Sequence, residues 1–162
     1  MRAEGLNEAD IVQNAALGGA LIWRFGLGYQ EKATNVPPLL PFAFIVLPIC
    51  FHAHTVDAVL STRKNSGLAL FAAKIGEVRE ALLAIHTRAR ELRELSLQSI
   101  SLGVRSRILS IDYETAAVRS NDVSSPVPPE RIKPCWTAAE RLGYWCGGVD
   151  LKQLGSLLRV EF

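Results

Sequence analysis

Asn14-Ala-Ala-Leu-Gly-Gly-Ala-Leu-Ile-Trp-Arg-Phe-Gly-Leu-Gly-Tyr29 decides the fold of this chain. Arg24 is its only charged residue. A helix that is apolar all round belongs in a core or against a second protein. The paired Gly18 and Gly19 would cost about 2 kcal/mol relative to alanine in an exposed helix, so close approach of another backbone is the expected compensation. The stretch holds no nucleophile, no base and no carboxylate. It reads as a packing surface.

Working outward, apolar or small residues recur at Ile11, Ala15, Gly18, Ile22 and Phe25, the helical period. Asn7 with Asp10 serves as N-cap and capping box, and a first helix is expected over residues 8–30, stopped by Gly26, Gly28 and Val36-Pro37-Pro38. The next apolar block, Pro38 to Phe51, is the best membrane-span candidate. It falls short of the about 20 apolar residues a bilayer requires, so a buried helix over residues 41–60, kinked at Pro48, is expected instead. After the polar turn Ser61–Ser66, with Asn65 or Ser66 as cap, come a short helix over residues 67–75 and an amphipathic one over residues 77–95. The latter carries a stripe of Val78, Leu82, Ile85, Ala89 and Leu92. Leu97, Ile100, Val104 and Ile108 extend a further helix to residue 107.

From Ile108 the period changes to two. Leu109, Ile111 and Tyr113 alternate with Ser110, Asp112 and Glu114, and a second short run covers Ala116 to Ser120. Residues 108–120 are therefore expected as a hairpin, although no Asn-Gly signal marks its tip. Residues 121–134 hold Ser124-Ser125-Pro126 and Pro128-Pro129 and read as a loop. Thr137 with Glu140 has capping-box spacing for a helix ending at Gly147-Gly148, and Asp150 opens a last helix over residues 151–158. Residues 159–162 suit a terminal strand or a tail. The fold class is mainly α with a small β-hairpin, a winged-helix-like single domain over residues 1–162, with residues 41–107 as helical core.

Composition excludes several functions. The chain has 162 residues, 49% of them hydrophobic and 21% charged, which suits one domain with a modest apolar surplus. Its net charge of +2 is too balanced to imply nucleic-acid binding from bulk electrostatics. Cys50, Cys135 and Cys146 show neither a disulfide framework nor zinc spacing, so a reducing compartment fits. The N-terminus carries no clear secretory signal, and the expected location is the cytoplasm. On one helix Cys50 and His54 would share a face while His52 points away, and no fourth ligand is spaced to close a metal site. His52, His54 and His86 lack a nucleophile motif, and no phosphate-loop signature is present. The expectation is a chain that is not an enzyme, with no cofactor, no metal and no small-molecule substrate.

Two groups of binding residues stand out. Leu21, Trp23, Arg24, Phe25, Tyr29 and Trp145 are candidate partner contacts, since aromatics anchor interfaces; Trp136 and Tyr144 share the property. Arg63, Lys64, Arg105 and Arg107 are candidate phosphate contacts if the winged-helix reading holds; a solvated, ion-paired face is the competing explanation for the basic residues.

Asn14-Ala-x-Leu-Gly, then Leu21-Ile-Trp-Arg-Phe-x-x-Gly-Tyr29, Pro38-Leu-Leu-Pro-Phe-x-Phe-Ile-Val-Leu-Pro48, a histidine-bearing helix end and Ser61-Thr-Arg63 come in that order. Late in the chain follow Trp145-Cys146, Leu154-Gly155 and Leu157-Leu-Arg-Val160. This order resembles the small middle-component proteins of bacterial three-component ABC-ATPase systems. Ala15 stands where the family pattern favours proline, and His52-Ala53-His54 where it is more basic. The resemblance implies a non-catalytic subunit that partners an SMC- or Rad50-like ATPase and an effector, often a nuclease, in anti-phage or anti-plasmid defence of the Lamassu type. DNA would then be reached through the complex, without membrane association. The alternative is a winged-helix DNA-binding regulator.

Overall fold

A computed structural model describes residues 14–162. The expected start of the first helix, residues 8–13, and its Asn7–Asp10 cap lie outside the described residues. The helix α1, Ala15–Lys32, is the axis of the fold. It packs along α7 (Arg93–Arg105) on one side and α8 (Lys133–Cys146) on another, and it also touches the hairpin and the short helix α3 (Val46–Cys50). Gly18, Gly19, Leu21, Ile22, Trp23, Phe25, Gly26 and Gly28 are buried. The glycines set these distances. A Cβ on Gly19 would lie 2.9 Å from the Ser99 carbonyl oxygen of α7, and a Cβ on Gly28 would lie 3.0 Å from the Glu140 carbonyl carbon of α8. Close backbone approach is thus present as expected, but the neighbouring backbones belong to this chain.

The second apolar block differs from the expected kinked helix. It forms α2 (Leu40–Ala43), α3 and α4 (Ala53–Leu60), with the axis bent by 104° at the break after Cys50. Pro41 sits in the first turn of α2, where its missing N–H is harmless. Thr55 secures the corner by donating its hydroxyl to the carbonyls of Ile49 (2.6 Å) and His52 (2.9 Å). Ile45, Val46, Leu47 and Ile49 are fully enclosed. No single helix among the described residues is long and apolar enough to cross a membrane; only the bent pair would reach the length.

The cap expected at Asn65 or Ser66 is replaced by a 3-10 turn over Lys64–Ser66. Helix α5 (Gly67–Gly76) follows without a side-chain cap. The two helices expected over residues 77–95 and on to residue 107 are present as α6 (Arg79–Glu91) and α7, with the break at Leu92 and not after Leu95. The break lets the two helices serve different neighbours: α6, with Ile85 and Ala89 buried, packs against α3 and α5, while α7 packs against α1, where Ser99 meets Gly18 and Gly19. Val78 and Leu97, placed on those stripes by periodicity, are about half exposed.

The hairpin is present as expected, with β1 (Leu109–Asp112) and β2 (Ala117–Ser120) antiparallel and Leu109 opposite Ser120. Its tip is built by Asp112, whose carboxylate accepts the Glu114 N–H at 2.9 Å, and by Ala116 in the left-handed region. The hairpin is tied to the core along β2, while its tip, residues 112–116, is exposed. Leu39 bridges to Ala117, so the outer edge of β2 is taken by Pro38–Leu40, and Ser120 donates its buried hydroxyl to the Trp23 carbonyl of α1 at 2.7 Å.

Helix α8 starts at Lys133, one turn earlier than the Thr137–Glu140 capping box implies, with Pro134 in its first turn. Glu140 is engaged elsewhere, as described below. Asp150 does cap α9 (Leu151–Leu158) in a reciprocal box with Gln153. The C-terminal residues are a tail and not a strand, anchored by Val160, which is 5% exposed.

Candidate partner interface

Leu21, Trp23, Phe25 and Trp145 are each no more than 4% exposed. They are enclosed by the chain's own helices, which corrects the expectation that they form a partner surface. An apolar all-round helix needs a shell on every side, and α7, α8, α3 and β2 provide it without a second molecule. Trp23 packs against Trp136, ring centres 6.1 Å apart, and gives its indole N–H to the Asn121 carbonyl at 2.9 Å.

Arg24, the lone charge in the opening stretch, reaches the helix surface. One guanidinium nitrogen lies 2.7 Å from the Glu140 carboxylate, and the group sits over the Trp136 ring at 5.8 Å. Its Nε is buried with no partner among the described residues. Tyr29 is half-buried between Phe25 and Phe42, and burial together with the neighbouring Cys146 thiol pushes its phenol upward. Arg141 holds α8 against α4: it donates to the carbonyls of Val59, Leu60 and Thr62 at 3.0–3.3 Å. A cation on these end-of-helix carbonyls satisfies groups the helix itself leaves open.

The four basic candidates do not form one stripe. Arg105 lies beside Ala15 at the start of α1, bordering a shallow depression with Leu97 and Leu102. Lys64 lies by Lys32 at the other end of the helix, and α1 is about 25 Å long at 1.5 Å per residue. Arg63 is exposed, and Arg107 is exposed with a left-handed backbone whose carbonyl accepts from Asn121. Cys50 and His54 do not share a helix, because the chain turns between them; His52 and His54 meet edge to face at 6.3 Å. Burial lowers the His52 pKa, with Arg88 and His54 adding to the effect. Among the described residues no three His, Cys, Asp or Glu side chains converge as a metal site. Cys50 and Cys146 are buried, and desolvation pushes both thiols well up.

A concave surface lies at the C-terminal end of α1. A groove of about 830 Å³ runs between the Lys64–Leu68 segment, the end of α8 and the start of α9. Trp145 donates its indole N–H to the Lys64 carbonyl at 2.8 Å, so one wall of the groove is fixed to the other. Lys64 and Lys32 both lie over the Tyr144 ring, at 4.4 and 5.4 Å from its centre. Lys32 reads in sequence as a helix-stop residue, and nothing local links it to Lys64 or Lys152; only the packing of α1 against α8 brings them together.

No curated protein and no solved structure is detectably similar to this chain. The sequence pattern of the ABC-three component (ABC-3C) system Middle Component 3 family, by contrast, matches residues 3–162. With that match covering nearly the whole chain, and with the α1 stretch, the Pro38–Pro48 block and the Trp145–Val160 end all inside it, the protein belongs to the middle-component family of three-component ABC-ATPase systems.

Proposed function

We propose that this chain is a non-catalytic accessory subunit that links an SMC-like ATPase to an effector, a nuclease by the resemblance, in a bacterial complex acting against phage or plasmids. The family match over residues 3–162 carries the reading. Membership gives an accessory place in an ABC-ATPase system; the SMC-like partner, the effector and the defence role are the further step. The burial of Cys50 and Cys146, with thiols held protonated, supports a role without nucleophilic chemistry.

Enclosure of both apolar blocks removes one ground for this reading, that the chain needs a partner to shelter them. The partner is instead met by solvent-facing surface, and the isolated subunit is expected to fold. The alternative of a winged-helix DNA-binding regulator has less support, because the hairpin is tied into the core and Arg105 and Lys64 stand at opposite ends of α1.

The test is expression of the chain with the genes that neighbour its own, and purification through a tag on this subunit. Stoichiometric recovery of an ATPase is the expected result. A monomer without affinity for the neighbouring products, or one that turns over a substrate unaided, would overturn the proposal.

A further inference from the structure

The groove at the C-terminal end of α1 combines a fixed apolar wall with converging positive charge. Val149, Leu157 and the Tyr144 ring supply apolar surface, backed by the buried Leu68 and Trp145, while Lys32, Lys64 and Lys152 stand around it. The one carboxylate in the lining, Asp150, is committed to capping α9 through the Gln153 N–H at 2.8 Å. Two ammonium groups over a single ring gain from its electron-rich face but repel each other. Among the described residues only Lys64 has a carboxylate nearby, Glu31 at 3.5 Å. An anion seated between the lysines relieves that repulsion, and the surrounding apolar surface requires an apolar companion to the charge.

From this juxtaposition we infer that the groove is the docking site for an acidic peptide segment of a partner subunit, carboxylates between Lys32 and Lys64 and an apolar side chain against Val149 and Leu157. The inference rests on the accessory-subunit reading and names its contact surface. A peptide suits the groove better than a free nucleotide. More of the lining surface is apolar than polar, the Asp150 carboxylate already sits at the start of α9 on the Gln153 N–H, where it would repel a phosphate, and no glycine-rich loop cradles a polyphosphate. The volume of about 830 Å³ accommodates several residues, and opposite charge across such a contact sets specificity and association rate.

Photocrosslinking in the assembled complex tests this. With p-benzoylphenylalanine in place of the exposed groove residue Ala69, and in place of the exposed Leu83 outside the groove as control, the neighbouring genes are co-expressed and the crosslinked peptides sequenced. The expected product joins position 69 to an Asp- and Glu-rich segment of the ATPase or effector. The double variant Lys32→Glu with Lys64→Glu, shown to be folded by circular dichroism, should cut that crosslink and the subunit's affinity at least tenfold, and the milder Lys32→Gln with Lys64→Gln, which keeps apolar stems on the Tyr144 ring, should cut both in the same direction. Reversing the partner's carboxylates to lysine should restore both.

A complex that co-purifies while position 69 stays silent, that crosslinks there through a neutral or basic segment, or that is indifferent to the double variant overturns the groove assignment and leaves the accessory role intact. Absence of any co-purifying partner removes both. Saturable binding of ATP to the isolated full chain by calorimetry, abolished by the double variant, would assign the groove to a nucleotide and overturn the peptide.

Discussion

Replacing Gly143 by alanine tests the helix contact around which the chain folds. A Cβ at this position in α8 would lie 2.8 Å from the Phe25 carbonyl carbon and 3.1 Å from its Cα, with the carbonyl oxygen closer still. Ordinary contact begins near 3.4 Å, so the α1 and α8 backbones must separate by at least 0.6 Å, and by more to clear the oxygen. No rotamer change relieves this, since the obstacle is backbone.

The separation is transmitted to Leu142, Trp23 and Phe25, whose packing leaves no room to give. Overpacking of this kind costs typically 1–3 kcal/mol and sometimes more; a loss of about 3 kcal/mol is expected here. Against a total stability of about 5–15 kcal/mol that is a large fraction, equivalent to a thermal midpoint about 6–12 °C lower for a chain of this size. Gly148→Ala is the internal control. A Cβ there meets its nearest atom at 3.5 Å and the residue is exposed, so its effect should stay within about 0.5 kcal/mol. Urea unfolding followed by far-ultraviolet circular dichroism measures both. Gly143→Ala within about 1 kcal/mol of wild type would refute the close-approach account of α1 and α8.

Other expectations follow from single contacts. Glu140→Ala leaves the Arg24 guanidinium partly buried without its 2.7 Å partner, and a loss of about 1–2 kcal/mol is expected; a double-mutant cycle with Arg24→Ala should show positive coupling, and strict additivity would dismiss the pair. Asp150→Ala removes both halves of the α9 box and should lower stability by about 1 kcal/mol, read from the unfolding midpoint. His52 has a native pKa below its ordinary value, so the unfolded chain takes up more protons in the acidic range. The contribution of neutral His52 is fully present above the ordinary imidazole range, and stability falls as pH drops through that range to the lowered native value. His52→Gln should flatten that slope, and an unchanged pH profile would exclude His52 as its source. Cys50 and Cys146 should react with a thiol reagent only at the rate of unfolding, whereas the less enclosed Cys135 should be modified first; peptide mapping during the reaction distinguishes the sites.

Local signals carried much of the architecture. The helical period across Ala15–Phe25, the switch to a period of two at Leu109, and the Asp150 cap each depend on neighbours within a few residues, and each appears in the structure close to its expected bounds. The absence of an interior charge other than Arg24 determined that α1 is enclosed. Which molecule encloses it was a matter of long-range packing: Gly19 meets Ser99 and Gly28 meets Glu140, pairs separated too far in sequence for periodicity to register.

The same limit explains the misplaced boundaries. The break at Leu92 lies where packing passes from α3 and α5 to α1, and the second apolar block turns through 104° within one core. The groove was illegible for that reason too. Lys32, Lys64 and Tyr144 are ordinary residues on separate elements, and they become a charged recess only when α8 lies against α1. Sequence alone therefore determined that this chain is helical, carries a small hairpin and has an axis whose apolar run is interrupted only by Arg24. Tertiary structure decided that the axis is sheltered internally and that what remains for a partner is the outside, because burial and charge convergence are sums over residues brought together only by folding.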